Sequence, residues 1–421
     1  MIETRTLFPG ITLRAFQDSR FKQGALSIQF LRLMSSREAA MNALLPSVLL
    51  RGTKCHPTLR SITEHLDTLY GASVNPLVRR VGDYQTTGLY LSFMDDRFAL
   101  PGDQVMEPML SFLKEILLEP LTENGSFFPS LVDSEKKNLI STIESDLNDK
   151  RIYAMGRLLK IMGREDTFGI PRLGEPEQVD AITPEALFHH YQQVLRTSPV
   201  EIFYVGSGDA DQVASLLVPL FADLPIEPFS LPPQSSLHPC EGQDTVEAMD
   251  VSQGKLCMGF VTPITNRSPE FPAMQVLNTL FGSGMTSKLF MNIREKMSLC
   301  YSIHSGYYSS KGIVMVSAGI DFQQEERTRS EVLHQLDACR KGEITAEELN
   351  AAKEALLSSL RSTHDSPGAI EGYYATAALS GLALTPDGYM DAVRQVTPED
   401  VVAAANTLTL HTTYFLKGES Q

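Results

Sequence analysis

The feature that most constrains this chain is that it repeats itself. Twice along its 421 residues the same order of signals appears. The first half reads GALSIQFLRL, in which Leu26, Ile28 and Phe30 alternate as in a half-buried strand. A helical stripe of Met41, Leu44, Leu45, Val48 and Leu49 follows. The second half opens with KLCMGFVTP, alternating Leu256, Met258 and Phe260. Ser268-Pro269-Glu270 then predicts a helix N-terminus leading into Met274, Leu277 and Phe281. Each half next carries a hairpin-like pair, LVRRVGDYQTTGLYLSF or CYSIHSGYYSSKGIVMVSAG, and a long helical stretch containing EKKNLISTIESDL or AEELNAAKEALLSSL. Each closes on a Thr-Pro-Glu helix start, at Thr183 and at Thr397, that runs into a strand ending in Gly.

A period this long marks a duplicated domain. Helices are grouped rather than alternating with strands, which predicts an α+β fold with antiparallel-rich mixed sheets rather than a doubly wound parallel sheet. The stretch LPIEPFSLPPQSSLHPCEGQ, rich in Pro and Ser, predicts a linker. The expected division is therefore an α+β domain over 1–224, a linker over 225–244 and a second α+β domain over 245–421.

Composition narrows the function classes. With 43% hydrophobic and 21% charged residues the chain has a globular make-up. Its net charge of -15 argues against nucleic acid, which needs a basic surface. No stretch approaches the ~20 apolar residues of a membrane span, and the N-terminus, acidic at Glu3, does not read as a signal peptide. Five scattered cysteines (Cys55, Cys240, Cys257, Cys300, Cys339) without CxxC pairing predict free thiols and a cytoplasmic location.

Three segments carry a resemblance. SGMTSKLFMNIREKMSLCYSIHSG is similar to the C-terminal-domain signature of the insulinase/pitrilysin-like metallopeptidases, which include mitochondrial processing peptidase. RLGEPEQVDAITPEALFHHYQQVL followed by FYVGSGD resembles the end of their N-terminal domain, and Leu49 to Thr53 (LLRGT) resembles the run after their zinc helix. The likeness covers nearly the whole chain and is closest to zinc-less bacterial members. It implies a LuxS/processing-peptidase-like fold.

The family's zinc signature is H-x-x-E-H on a helix, which puts two His ligands on one face with the general base between them, plus a later Glu. Registered on Gly52 and Thr53, this chain has Ala43 and Ser47 at the His positions and Pro46 at the base. Registered on Glu135-Lys136, Thr142 falls near the third ligand position, and a two-residue slip offers Glu144 instead. None of Ala, Pro and Ser supplies the missing chemistry, so no metal and no cofactor is expected. Pro46 also removes a helical N–H, at a cost of ~3 kcal/mol or a kink. Ser61-Ile62-Thr63-Glu64-His65, with His56 nearby, mimics the motif but reads as an amphipathic helix ending at Gly71. His189 and His190 are adjacent rather than i,i+4 and read as structural or solvent-facing.

The resemblance also implies a peptide-binding pair, an Arg and a Tyr seven residues on, that hydrogen-bond the backbone carbonyls of a bound peptide. Arg294 and Tyr301 stand at that spacing; read by themselves they are equally a helix-end cation and a strand tyrosine. Gly282-Ser283-Gly284 reads as a helix C-cap, or as a chamber loop by resemblance. Two-chain members of the family imply a non-zinc subunit that binds peptide or unfolded polypeptide beside a zinc-bearing insulinase-like partner, or a homodimer. The alternative is a pseudopeptidase that binds or scaffolds without turnover. A third reading, an independent enzyme, finds no G-x-S-x-G elbow and only Cys300 as a thiol beside Tyr301.

Overall fold

The structure, a computed structural model, describes residues 2–419 apart from 223, 225 and 239. Two compact units form, and neither is a continuous stretch. Unit 1 comprises Met1–Glu144, Pro171–Pro233 and His364–Thr376; unit 2 comprises Ser145–Ile170, Gln234–Thr363 and Ala377–Gln421. The division drawn from sequence is consecutive, whereas each compact unit takes in a segment from across the linker. The unit border between the halves falls at Pro233/Gln234.

Unit 1 is built on β1 (Ile2–Phe8), β2 (Ile11–Gln17), β3 (Gln23–Leu33), β4 (Ser73–Val81), β5 (Tyr84–Met94) and β8 (Val200–Gly206), with a short hairpin of β6 (Thr122–Glu123) and β7 (Ser126–Phe127) beside them. Unit 2 is built on β9 (Asp244–Met249), β10 (Gly254–Val261), β11 (Cys300–Tyr308), β12 (Ile313–Ile320) and β13 (Thr409–Gly418). The strand orders are β1-β2-β8-β3-β5-β4 and β11-β12-β10-β13-β9. Read from the hairpin end, the order β4-β5-β3-β8-β2 corresponds strand for strand to β11-β12-β10-β13-β9. The one parallel pair of each sheet, β2 with β8 and β13 with β9, occupies the same place. The fold is thus a tandem duplication of an α+β unit with an antiparallel-rich mixed sheet, and β1 is an addition to the first copy.

Both Thr-Pro-Glu signals start helices as expected. The Thr183 hydroxyl accepts from the Ala186 N–H, and the Thr397 hydroxyl accepts from the Asp400 N–H. The start expected at Ser268 lies three residues too early. The Ser268 hydroxyl accepts from the Thr265 N–H inside a turn, and the helix begins at Phe271 with Pro272 in its first turn.

The central strands differ most from expectation. β3 was read as half-buried, yet every residue from Gly24 to Arg32 is buried, including Ser27 and Gln29. Their polar face is covered by the helix Pro367–Ser380, whose residues up to Thr376 belong to unit 1. Glu371 on that helix is buried to 1%. It accepts from Ser27 Oγ at 2.6 Å and forms a two-point pair with Arg79, whose Nη1 and Nη2 donate at 2.9 and 2.7 Å. In unit 2 the helix Lys150–Met162 covers β10 in the same way. Leu158 and Met162 join Cys257, Met315 and Tyr414 in one buried cluster. Gly259 is what admits that helix, since a Cβ there would stand 2.2 Å from Met162 Sδ.

Removing one partner of a buried ion pair strands the other charge, at a cost of about 3–5 kcal/mol. Arg79→Ala is therefore expected to lower the urea-unfolding free energy by that order, while an Arg79→Met/Glu371→Leu double variant lies much nearer the wild type. Equal stability of Arg79→Ala and wild type would contradict the role given to this pair.

Candidate functional site

Two places correspond to the residues singled out in the sequence, one in each unit. In unit 1 the helix α1 (Ala39–Leu49) continues without a break through Pro46. Proline offers no N–H to the carbonyl one turn back, which belongs to Asn42. That carbonyl accepts instead from the Thr87 hydroxyl of β5 at 2.8 Å, so the vacancy is filled from the sheet. Ala43 and Pro46 are buried and Ser47 is half-buried, and Pro46 packs among Phe30, Leu45, Leu49 and Leu89. The face on which the motif places two imidazoles and a carboxylate is a methyl, a pyrrolidine ring and a hydroxyl.

Among the carboxylates of the helix Pro129–Asn148, Glu135 rather than Glu144 reaches this region. Glu135 is buried and paired with Arg51, just beyond α1. Thr142 is exposed and donates to its own helix at Asn138 O, 2.9 Å, and Glu144 is exposed. The near-motif at His65 lies on the helix Leu59–Thr68, as expected. Its ring stacks on His56 and Phe112 with centroids 4.6 and 4.7 Å away, and burial, then the neighbouring His56, pulls its pKa down. His56 Nδ1 lies 2.8 Å from Glu115. Among the described residues no group of three or more His, Cys, Asp or Glu side chains is arranged to hold a metal ion.

In unit 2 the sequence places Arg294 and Tyr301 across a helix–strand junction, and three local distortions decide their geometry. Residues Leu289–Lys296 wind as a π-helix, and the Met297 N–H continues the pattern onto Asn292 O at 3.1 Å. Ser298 then takes a left-handed backbone, φ 52°, which turns the chain into β11. At the start of β11, Cys300 pairs with Ile320 but Ser302 pairs with Gly319, so Tyr301 is the extra residue of a β-bulge. A bulge on an edge strand re-aims its side chain. Tyr301 stands 59% exposed, and its carbonyl accepts from Arg294 Nε at 3.0 Å.

The guanidinium lies 4.7 Å from the Phe290 ring centroid and 3.3 Å from Glu295, and the Tyr301 hydroxyl donates to Asp321 at 2.8 Å. The structure thus brings the two expected residues together at an open cavity of about 370 Å³ that Ser298 and Asp321 also line. Ser298 and Asp321 were missed by sequence reasoning; a serine at a helix end and an aspartate after a strand give no signal alone. Of the Gly282-Ser283-Gly284 turn, Gly284 is the C-cap of the π-helical segment Thr279–Ser283, its N–H donating to Thr279 O at 3.2 Å, whereas Gly282 lies buried inside that segment, where a Cβ would meet Leu289 and Ser305 at 2.7 Å. Cys300 is buried and its thiol is pushed up to about 11 by that burial, which keeps it protonated at neutral pH.

Fold and site together define a duplicated processing-peptidase-type protein whose zinc-helix positions carry no ligand chemistry. Residues 181–356 match the family model described as Peptidase M16 inactive domain. Over 416 residues the chain is 30% identical to the "Probable inactive metalloprotease YmfF" of Bacillus subtilis, covering 99% of this chain and 98% of that one. It is 28% identical over 113 residues, about a quarter of each chain (26% and 27%), to the "Uncharacterized zinc protease YmxG" of the same organism. The crystal structure of a conserved protein from Enterococcus faecalis V583 superposes with a TM-score of 0.90 at 27% identity, over 100% of this chain and 99% of the other. The chain belongs to the M16, insulinase-like, metallopeptidase family. Among the described residues no helix is long and apolar enough to cross a membrane.

The polar core around α1 has a testable consequence. His190, buried, lies with Nε2 2.7 Å from Asn42 Oδ1, and Asn42 in turn donates to Gln85. Burial pulls the His190 pKa down to about 4, against about 6.5 in an unfolded chain. The folded state then binds fewer protons between those values. Its stability is full above about pH 6.5 and falls as pH drops toward 4, by up to about 1.4 kcal/mol per pH unit. Urea-unfolding free energies of wild type and His190→Gln, compared at about pH 7 and pH 5, are expected to show the smaller acid loss in the variant. An equal loss in both would contradict this assignment.

Proposed function

We propose that this chain is the non-zinc subunit of a two-chain M16 peptidase, holding the backbone of a peptide or unfolded polypeptide through Arg294 and Tyr301 for a zinc-bearing relative that cleaves it. The observation that carries the reading is the contrast between the two places. The zinc-helix positions are a methyl, a ring and a hydroxyl set among apolar side chains, whereas the Arg294–Tyr301 pair is built by a π-helix, a left-handed serine and a bulge, and opens into a cavity. Distortions of this kind are retained where they position a functional group. Recognition of a peptide through its backbone, by hydrogen-bonding groups held in fixed positions, tolerates many sequences. Bacillus subtilis, whose YmfF resembles this chain over its whole length, also carries a relative named as a zinc protease. A split of roles between two such chains fits that pairing.

The second reading is a pseudopeptidase that binds or scaffolds without turnover, favoured by the description of the YmfF relative as inactive. The two separate in one experiment. The chain is mixed with an H-x-x-E-H relative from its own genome, and cleavage of an unfolded polypeptide is followed. Split catalysis predicts turnover that needs both chains and falls roughly 10- to 100-fold with Arg294→Ala, the range of a charge-assisted hydrogen bond, at unchanged zinc content. Cleavage by the mixture that is indifferent to Arg294 contradicts the assigned role, and peptide binding without turnover in any pairing supports the scaffold.

A further inference from the structure

The Tyr301 hydroxyl has one proton, and in this structure it is given to Asp321, 2.8 Å away. A carboxylate only accepts, so the direction of this bond is fixed. The same bond is the first cause of the raised Tyr301 pKa, with the Asp321 charge second. A phenol whose proton is committed faces an incoming group with its oxygen lone pair, as an acceptor. Arg294 is the opposite: guanidinium has donors only. Its Nε is held by the Tyr301 carbonyl and its Nη1 lies by Glu295, and the residue lines the cavity, so its remaining N–H groups are the donors available there. The site therefore offers one donor and one acceptor rather than two donors. An extended peptide presents the matching pair, because the N–H and C=O of one residue point to the same side of a strand.

We infer that Asp321 is a positioning residue that fixes Tyr301 as a hydrogen-bond acceptor, so that Arg294 and Tyr301 read the C=O and the N–H of an extended peptide together. This rests on the peptide-binding reading of the site and adds its polarity. Three features of the local fold support it. The bulge takes Tyr301 out of the ladder and exposes it. Asp321 follows directly on β12, the strand that pairs with β11, so carboxylate and phenol are held by adjacent strands. Ser298 in its left-handed conformation closes the turn between the guanidinium and the phenol.

The test is fluorescence anisotropy with a short, unstructured, fluorescein-labelled peptide and a series in which each backbone amide in turn is N-methylated, which deletes one N–H. For the wild-type chain, methylation at one amide is expected to weaken binding roughly tenfold, one hydrogen bond's worth. Tyr301→Phe, which lacks the oxygen, loses that sensitivity. Asp321→Asn loses it too, because an amide NH2 can donate to the phenol and free its proton to point outward. Asp321→Glu, which keeps a carboxylate, retains it. Thermal unfolding midpoints check that all variants are folded. An N-methylation profile in Asp321→Asn identical to wild type overturns the inference while leaving peptide binding intact. A wild-type chain that binds none of the peptides overturns the inference and the reading beneath it.

Discussion

A sheet strand whose both faces are apolar or closely packed must be covered on both sides, and this requirement organises the molecule. β3 and β10 each lie at the interior of their sheet and are buried along nearly their whole length. One face of each packs on helices of its own half. The other face is covered by a segment from across the linker: Lys150–Met162 on β10, and the first part of Pro367–Ser380 on β3. Glu371 accepts from Ser27 and from the Gln29 amide within β3, and Arg79 neutralises that buried carboxylate in turn, which offsets the cost of burying these polar groups. The compact units are consequently discontinuous in sequence.

The same economy explains why the zinc helix survives as a helix without its chemistry. Its apolar face still seals the sheet through Leu44, Leu45, Val48 and Leu49. Pro46 is accommodated because Thr87 takes over the one carbonyl it leaves empty. Asn42, Gln85 and His190 form a closed set of hydrogen bonds around it. A helix retained for packing accepts substitutions at ligand positions that a metal site does not, because tetrahedral zinc needs at least three protein ligands in fixed directions. At the Arg294–Tyr301 junction the balance runs the other way. An eight-residue π-helix, a left-handed serine and a bulge succeed one another.

Much of this was legible in the sequence because it rests on repetition and local chemistry. The doubled order of strand, helix, hairpin and Thr-Pro-Glu start gave the duplicated α+β class, and the two threonine caps stand where they were expected. Apart from the helix start at Ser268, which a local turn displaces, the failures share one physical cause: they depend on what packs from far away. Alternation in GALSIQF reads as half-buried unless the distant Glu371 is known to satisfy Ser27. Consecutive domain limits follow from reading along the chain and miss the exchanged segments. Asp321 has no motif, and its place beside Tyr301 comes from the pairing of β11 with β12. Glu135 likewise reaches the end of α1 through Arg51, a contact that no spacing rule on one helix encodes.

The central claim is that the metal chemistry of the family has left this chain while its packing role remains. The most direct measurement is zinc quantification on the chain purified alone and on whatever co-purifies with it from its native cells. The account predicts a zinc-free chain by itself, and about one zinc per pair when an H-x-x-E-H relative accompanies it. Stoichiometric zinc bound by this chain alone would contradict it.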